Sequence, residues 1–417
     1  MKYWKKLSHT EQDERITRAL AANVDFTHSV CLGIPASRLD EQVFYSQASF
    51  LKDAPLLRTY VANPNHIGCH TFGSSEPFFA GTHELEREVI ELLSVDFFKA
   101  QPGSCDGYVA AGGTEANIEA AWIYRNYFIQ EHNAQHHQVA ILCSSDTHYS
   151  VAKAGNLLNI NVCAVPVNEQ DRSISKEAVS ATIADAISRD IRFFIVYCNM
   201  GTTMFGSIDA PEVYADVLRQ HNVHYKMHVD AAFGGFIYPT SAPESVLNFA
   251  NAEVSSITLD AHKMLQAPYG TGIFLARKGL MEYALTKEAS YVHGMDMTIS
   301  GSRSGANAIA IWMILFSYGP FGWLEKINKL LYRTDWMCAK LDELHVTYYR
   351  HPRMNIITIR SGYVPAALAA TFGMVPDDHS SEPGWYKIVV MDHVSIDQLH
   401  DFAVQLGQSL MLQPELA

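Results

Sequence analysis

Two residues 33 positions apart (263 − 230 = 33) set the possible chemistry: Asp230, closing Tyr225-Lys-Met-His-Val-Asp230, and Lys263, in Ser256-Ile-Thr-Leu-Asp260-Ala-His-Lys263. Each follows a run of apolar and β-branched residues, so each stands where a strand would end. A lysine at a partly buried strand end is costly unless it is paired or used covalently. An amine able to form an imine, beside a carboxylate able to keep a pyridine nitrogen protonated, is what pyridoxal 5'-phosphate requires. A lone strand-end aspartate also caps helices and binds metals, so Asp230 alone decides nothing. Ala111-Gly-Gly-Thr-Glu-Ala-Asn117 adds two glycines and a threonine at a helix start, where free amides and the helix dipole hold an anion such as a phosphate. A plain glycine turn with a threonine N-cap fits that segment equally well. Ser144-Ser-Asp-Thr-His148 puts an imidazole at a further strand end, although most of the 19 histidines must be surface or core residues.

The elements that would position these groups alternate. Short strand-like runs at Gly107–Ala110, Val139–Cys143, Asn161–Val165, Phe193–Cys198, Lys226–Val229, Ser256–Leu259 and Gly272–Ala276 are separated largely by helical patterns. Seven such strands predict an α/β fold with a mostly parallel, buried sheet and helices on both faces. Ligands of such sheets bind at the carboxyl ends of the strands. A long apolar helix follows (Ala306–Phe316, then Trp323–Leu341), and further strand-like runs at Asn355–Ile359 and Tyr386–Met391 suggest a smaller closing unit. The expected division is an N-terminal segment 1–82, a large domain 83–310 and a small C-terminal domain 311–417.

The chain has 417 residues and a net charge of 31 − 44 = −13, which disfavours nucleic acid and anionic lipid as partners. No apolar run approaches the ~20 residues that span a bilayer, and the N-terminus lacks the apolar core of a secretory signal. A cytoplasmic protein is expected. The seven cysteines are scattered and never in a CxxC pair, so neither a disulfide framework nor a cysteine zinc site is indicated. GxGxxG and GxxxxGK[ST] are absent. His221, His224, His228 and Asp230, and separately His132, His136 and His137, raise the possibility of zinc. HExxH is absent and Asp230 is better explained by a cofactor, so no metal is expected.

Six ordered segments carry a family resemblance: GYVAAGGTEAN (107–117), DTHYSVAKAGNLL (146–158), NMGTTMFGSID (199–209), HVDAAFGGF (228–236), LDAHKM (259–264) and GSRSG (301–305). On these the chain resembles the group II pyridoxal-phosphate-dependent amino-acid decarboxylases of fold type I, nearest to the short histidine, tyrosine and aspartate decarboxylase branch. The resemblance implies that Lys263 binds the cofactor covalently and that Asp230 pairs with its ring nitrogen. It places Ala232 on one ring face and His148 on the other, with Gly113, Thr114 and His262 at the phosphate and Thr202 near the ring hydroxyl. It implies a homodimer with active sites at the interface, where Gly301 and Ser302 serve the phosphate of the neighbouring subunit. Arg303 either clamps a substrate carboxylate or forms a structural ion pair. The proton donor is Tyr291 or His148; Tyr291 as a core residue is the alternative.

The implied reaction is conversion of an L-amino acid to its amine and CO2. Another fold type I reaction, an aminotransferase or a carbon–carbon lyase, shares Asp230 and Lys263; the Asp260-Ala-His-Lys order, GTT and GSRSG favour the decarboxylase. A metal-binding protein without catalysis is the more remote alternative. The substrate pocket is expected around His66, His70, Phe72 and 74–79. Those histidines suit an acidic or phenolic side chain, and the phenylalanines an aromatic or imidazole one, which is preferred. Aspartate, glutamate, tyrosine, histidine and 2,4-diaminobutyrate all remain open.

Overall fold

Seven strands form one sheet: β1 (Cys105–Ala110), β2 (Val139–Ser144), β3 (Asn161–Val165), β4 (Phe193–Asn199), β5 (His224–Asp230), β6 (Val254–Asp260) and β7 (Gly272–Arg277). This computed structural model describes residues 2–23, 51, 54–73, 76–285, 292–379 and 382–412. The spatial order is β1-β7-β6-β5-β4-β2-β3, with β7 antiparallel to both its neighbours and the other pairings parallel. Continuous apolar runs such as Val139–Ser144 and Phe193–Asn199 are buried along their whole length, as strands covered on both faces must be. β3, at the sheet edge, alternates exposed and buried residues near its end.

Local chemistry sets the helix boundaries. The first helix, His9–Ala21, opens on a capping box between Ser8 and Glu11, and Lys176–Ser188 opens on Ser175, whose hydroxyl accepts from the Ala178 amide. These contacts satisfy amides that the first helical turn leaves open. Gly113–His132 and Tyr149–Leu158 both end on an asparagine in the left-handed conformation, Asn133 and Asn159, a frequent helix stop.

The expected boundary at 310 falls inside a continuous element. The helix Gly305–Glu343 runs through it and bends at Gly319-Pro320, where proline removes a backbone donor. By length and composition this helix could cross a membrane. Here it is a packing element: residues up to Leu330 enter the core of the large domain, and Met337, Cys338 and Leu341 enter a second core with the C-terminal sheet. That sheet is built around Ile356–Arg360 and Trp385–Val389, paired antiparallel. The N-terminal helix contributes Ile16 and Ala19 to the large core of its own chain.

Candidate active site

β5 and β6 are parallel neighbours, with Asp230 opposite Thr258, so Asp230 and the segment carrying Lys263 leave the sheet side by side. The other chemical groups leave the same edge. Gly112 and Gly113 follow β1, His148 follows β2, and Thr202 follows β4.

Gly112, half-buried just after β1, caps the helix Gly113–His132. Gly272, opposite Ala110 on one side and Asp260 on the other, lets the turn approach closely: a Cβ at 272 would overlap the Gly112 backbone. A Cβ at Gly112 itself would meet nothing within 4 Å. The result is an open cradle of amides at a helix start, with Thr114 in the first turn. Ala232, 9% exposed, lies against this cradle: its methyl is 3.2 Å from where a Cβ of Gly113 would stand.

Asp230 is nearly buried. Its Oδ1 accepts from the Ala232 amide (3.1 Å) and its Oδ2 from Asn117 Nδ2 (2.8 Å). Lys263 Nζ lies 3.8 Å from Asp260 Oδ2, beyond hydrogen-bonding distance. Asp260 also meets His262 Nδ1 at 2.6 Å and accepts from the Gly113 amide at 3.2 Å. Burial raises the proton affinity of Asp260, and Lys263 and His262 oppose this.

His148 caps the helix Tyr149–Leu158. Its Nδ1 accepts from the Ser150 amide (3.3 Å) and lies 2.9 Å from Ser150 Oγ. Burial pushes its pKa below the ordinary range while Asp230 pulls it up and Lys263 pushes it down, so all three groups share one field. An amide cradle, a lysine amine, a carboxylate fixed on the adjacent strand and an imidazole at the same edge together fit pyridoxal phosphate.

Several expected residues take other places. His66 Nδ1 lies 2.9 Å from Glu86 Oε2 and its Nε2 2.9 Å from Thr82 Oγ1; His70 Nε2 lies 3.2 Å from Glu86 Oε2. Both histidines are essentially fully buried, so neither is an open substrate contact within this chain. Arg303 is an ion-pair partner and no free carboxylate clamp: its guanidinium binds both oxygens of Glu86 and the carbonyls of Val109 and Gly68. Burial would raise the Glu86 carboxyl, but Arg303 and His66 hold it well below the usual carboxylate range. His66, His70 and Glu86 also cluster closely enough to hold a metal, yet Arg303 already occupies both carboxylate oxygens. Phe72 is half-buried against the core cluster that contains Tyr108, Tyr124 and Tyr197. The Thr202 hydroxyl closes the 202–207 turn on Ser207 (2.7 Å). Gly301 and Ser302 are exposed, Ser302 opening the short strand Ser302–Ser304. Tyr291, Ser74 and Ser75 lie outside the described residues.

Sequence reasoning missed four contributors. Asn117 was visible as the last residue of a quoted segment, and Ser150 as the second residue beyond His148. Asn199 Nδ2 binds Thr147 (2.9 Å), Ser144 (3.1 Å) and Asp209 (2.8 Å), tying the His148 loop to β4; burial raises Asp209 to about 7. Lys387, on Trp385–Val389, reaches the Thr203 carbonyl (2.8 Å). Its pKa is lowered by burial and by the charge of Lys263. No local pattern announces that contact, because it joins the C-terminal sheet to the loop after β4, 184 residues away.

Residues 65–373 match the model of the pyridoxal-dependent decarboxylase conserved domain. A tryptophan decarboxylase of Clostridium sporogenes is 50% identical over 406 residues, 97% of either chain. A histidine decarboxylase of Vibrio anguillarum is 29% identical over 294 residues, covering 69% of this chain and 72% of the relative. Among solved structures, Oryza sativa TDC with PLP and tryptamine superposes with a TM-score of 0.71 at 15% identity, over 85% of this chain and 80% of that one. L-methionine decarboxylase from Streptomyces sp. 590 reaches 0.68 at 20% identity, over 96% and 94%. These structural likenesses establish the fold.

Proposed function

The chain belongs to the pyridoxal-dependent decarboxylase family and decarboxylates an amino acid with pyridoxal phosphate, and we propose that its substrate is L-tryptophan, released as tryptamine and CO2. The observation that carries this reading is the 50% identity to a tryptophan decarboxylase along 97% of both chains. An aromatic side chain agrees with the preference drawn from the sequence, which had not singled out the indole.

Pyridoxal phosphate, when bound, supplies a conjugated ring that takes up the electron pair left as the bond to the carboxylate breaks. In this reading Lys263 provides the amine that holds the cofactor. Asp230 keeps a negative charge at the ring nitrogen, with both its oxygens already oriented by Asn117 and Ala232. The Gly113 turn and His262 take the phosphate, with the positive end of the helix Gly113–His132 behind them. Ala232 and His148 enclose the ring from its two faces and keep water from it. Gly301 and Ser302, exposed at the surface, serve the phosphate of a neighbouring copy, so the working unit is a homodimer, in the cytoplasm.

Assaying release of CO2 and of the corresponding amine across the twenty amino acids plus 2,4-diaminobutyrate tests the substrate. The highest kcat/KM should be with tryptophan. A higher value with histidine, aspartate, glutamate or tyrosine refutes the assignment, and keto-acid formation in place of CO2 refutes the reaction.

A further inference from the structure

We propose that Asn117 is a positioning residue that orients Asp230 and, through Ser150, locks His148 in the tautomer with its proton on Nε2. The inference rests on Asp230 and His148 being the cofactor-facing groups named above. The direction of each hydrogen bond follows from the first. A carboxylate only accepts, so the Asn117 group 2.8 Å from Asp230 Oδ2 must be the amide nitrogen. The second hydrogen of that nitrogen goes to Ser150 Oγ at 2.9 Å. With that oxygen accepting from Asn117, the serine hydroxyl donates onward to His148 Nδ1, 2.9 Å away. The Ser150 backbone amide, a donor under all conditions, reaches the same Nδ1 at 3.3 Å. Two donors converge on Nδ1, so a neutral His148 carries its proton on Nε2.

The other end of Asn117 follows from this orientation. Its Oδ1 lies 3.1 Å from His228 Nε2, which then donates and also lies 3.1 Å from Thr258 Oγ1. His228 Nδ1 accepts from Ser256 Oγ at 2.7 Å. Turning the amide over would set its oxygen against the Asp230 carboxylate, a repulsion that no change of His228 tautomer relieves. Asn117, Ser150 and His228 are at most 1% exposed, so water cannot repair that mismatch. One amide therefore supports both groups, and it keeps His148 a neutral Nε2–H donor at the site.

The test combines histidine-selective 15N NMR of the holoenzyme with a double-mutant cycle. The His148 signal, assigned by its loss in His148→Asn, should show Nδ1 unprotonated and Nε2 protonated at neutral pH. This readout needs no substrate, so it stands or falls apart from the tryptophan assignment. For turnover, measured with whichever amino acid the panel identifies, Ser150→Ala should lower kcat about tenfold, the worth of one hydrogen bond, with the visible absorption of the bound cofactor unchanged. Asn117→Ala should lower kcat further and shift the pH dependence of that absorption. Asn117→Leu, of similar size and without a charge, replaces it if the alanine variant does not fold. Because Asn117 reaches His148 only through Ser150, removing the serine as well should add little, and the double variant should match the Asn117 variant within about twofold. A proton found on Nδ1 of the wild-type His148, or single effects that multiply in the double variant, overturns the proposal.

Discussion

Replacing Arg303 with methionine separates the two roles its sequence position allowed. Its guanidinium is 5% exposed and binds a Glu86 carboxylate that is 2% exposed. Glu86 also accepts the Val109 amide at 2.8 Å and faces His66 and His70. Removing one partner of a buried ion pair costs about 3–5 kcal/mol, because the remaining charge is left uncompensated. With an unfolding entropy of about 2.1 cal/mol/K per residue, 417 residues give ~0.9 kcal/mol/K, so the midpoint of thermal unfolding should fall by roughly 3–6 °C. The pH sign is fixed by Glu86, whose folded pKa is depressed. The stability it contributes is present above the ordinary carboxylate range and is lost as pH falls through the depressed value. The deficit of the variant should thus be largest near pH 7 and shrink towards acid pH, where losing the pair matters less. Calorimetry on holoenzyme at several pH values measures this, alongside KM. A midpoint within about 1 °C of wild type, together with a large rise in KM, would refute the structural role and restore Arg303 as a substrate clamp.

Lys263→Ala should abolish the visible absorption of the lysine-bound cofactor; a band persisting in the purified variant with cofactor added counts against Lys263. Asp230→Asn should retain cofactor yet lose at least about a hundredfold in kcat, since the charge that stabilises the protonated ring is gone; turnover near wild type is the contrary result. Gly272→Ala should raise the cofactor dissociation constant, because its Cβ would displace the Gly112 backbone, and should destabilise by about 1–3 kcal/mol; equilibrium dialysis and urea unfolding read the two effects. Burial lowers His70 to about 2 and His83 and His228 to about 3. They stay neutral in the fold and charge only when it opens, so below the ordinary histidine pKa each steepens the loss of stability by about 1.4 kcal/mol per pH unit. Urea midpoints that stay level between pH 7.5 and pH 5.5 would contradict this.

The core of the large domain was legible because its strands are unbroken apolar runs. Asn161–Val165 is legible to the residue, and the other strands within about two residues at either end. The helix through residue 310 shows what local pattern cannot divide: one amphipathic element whose two halves belong to different cores. Glu86 had a signal that went unread. It stands three residues before Val89 on the buried face of Ala80–Leu92, and an acidic residue on such a face needs a partner.

The sequence by itself determined which residues end strands, that a carboxylate and an amine stand at two such ends, and that a glycine turn opens a helix at a third, since these depend on neighbours a few positions away. Only the tertiary structure decided who pairs with whom. It set β5 beside β6, so that Asp230 and Lys263 share an edge, and it joined Asn117 to Asp230 across 113 residues. Arg303 was likewise brought to Glu86 across 217, which gathered it and two histidines into one buried cluster. A buried charge takes the partner that satisfies it at the lowest cost in desolvation, and that partner is chosen by chain topology rather than by nearness in sequence.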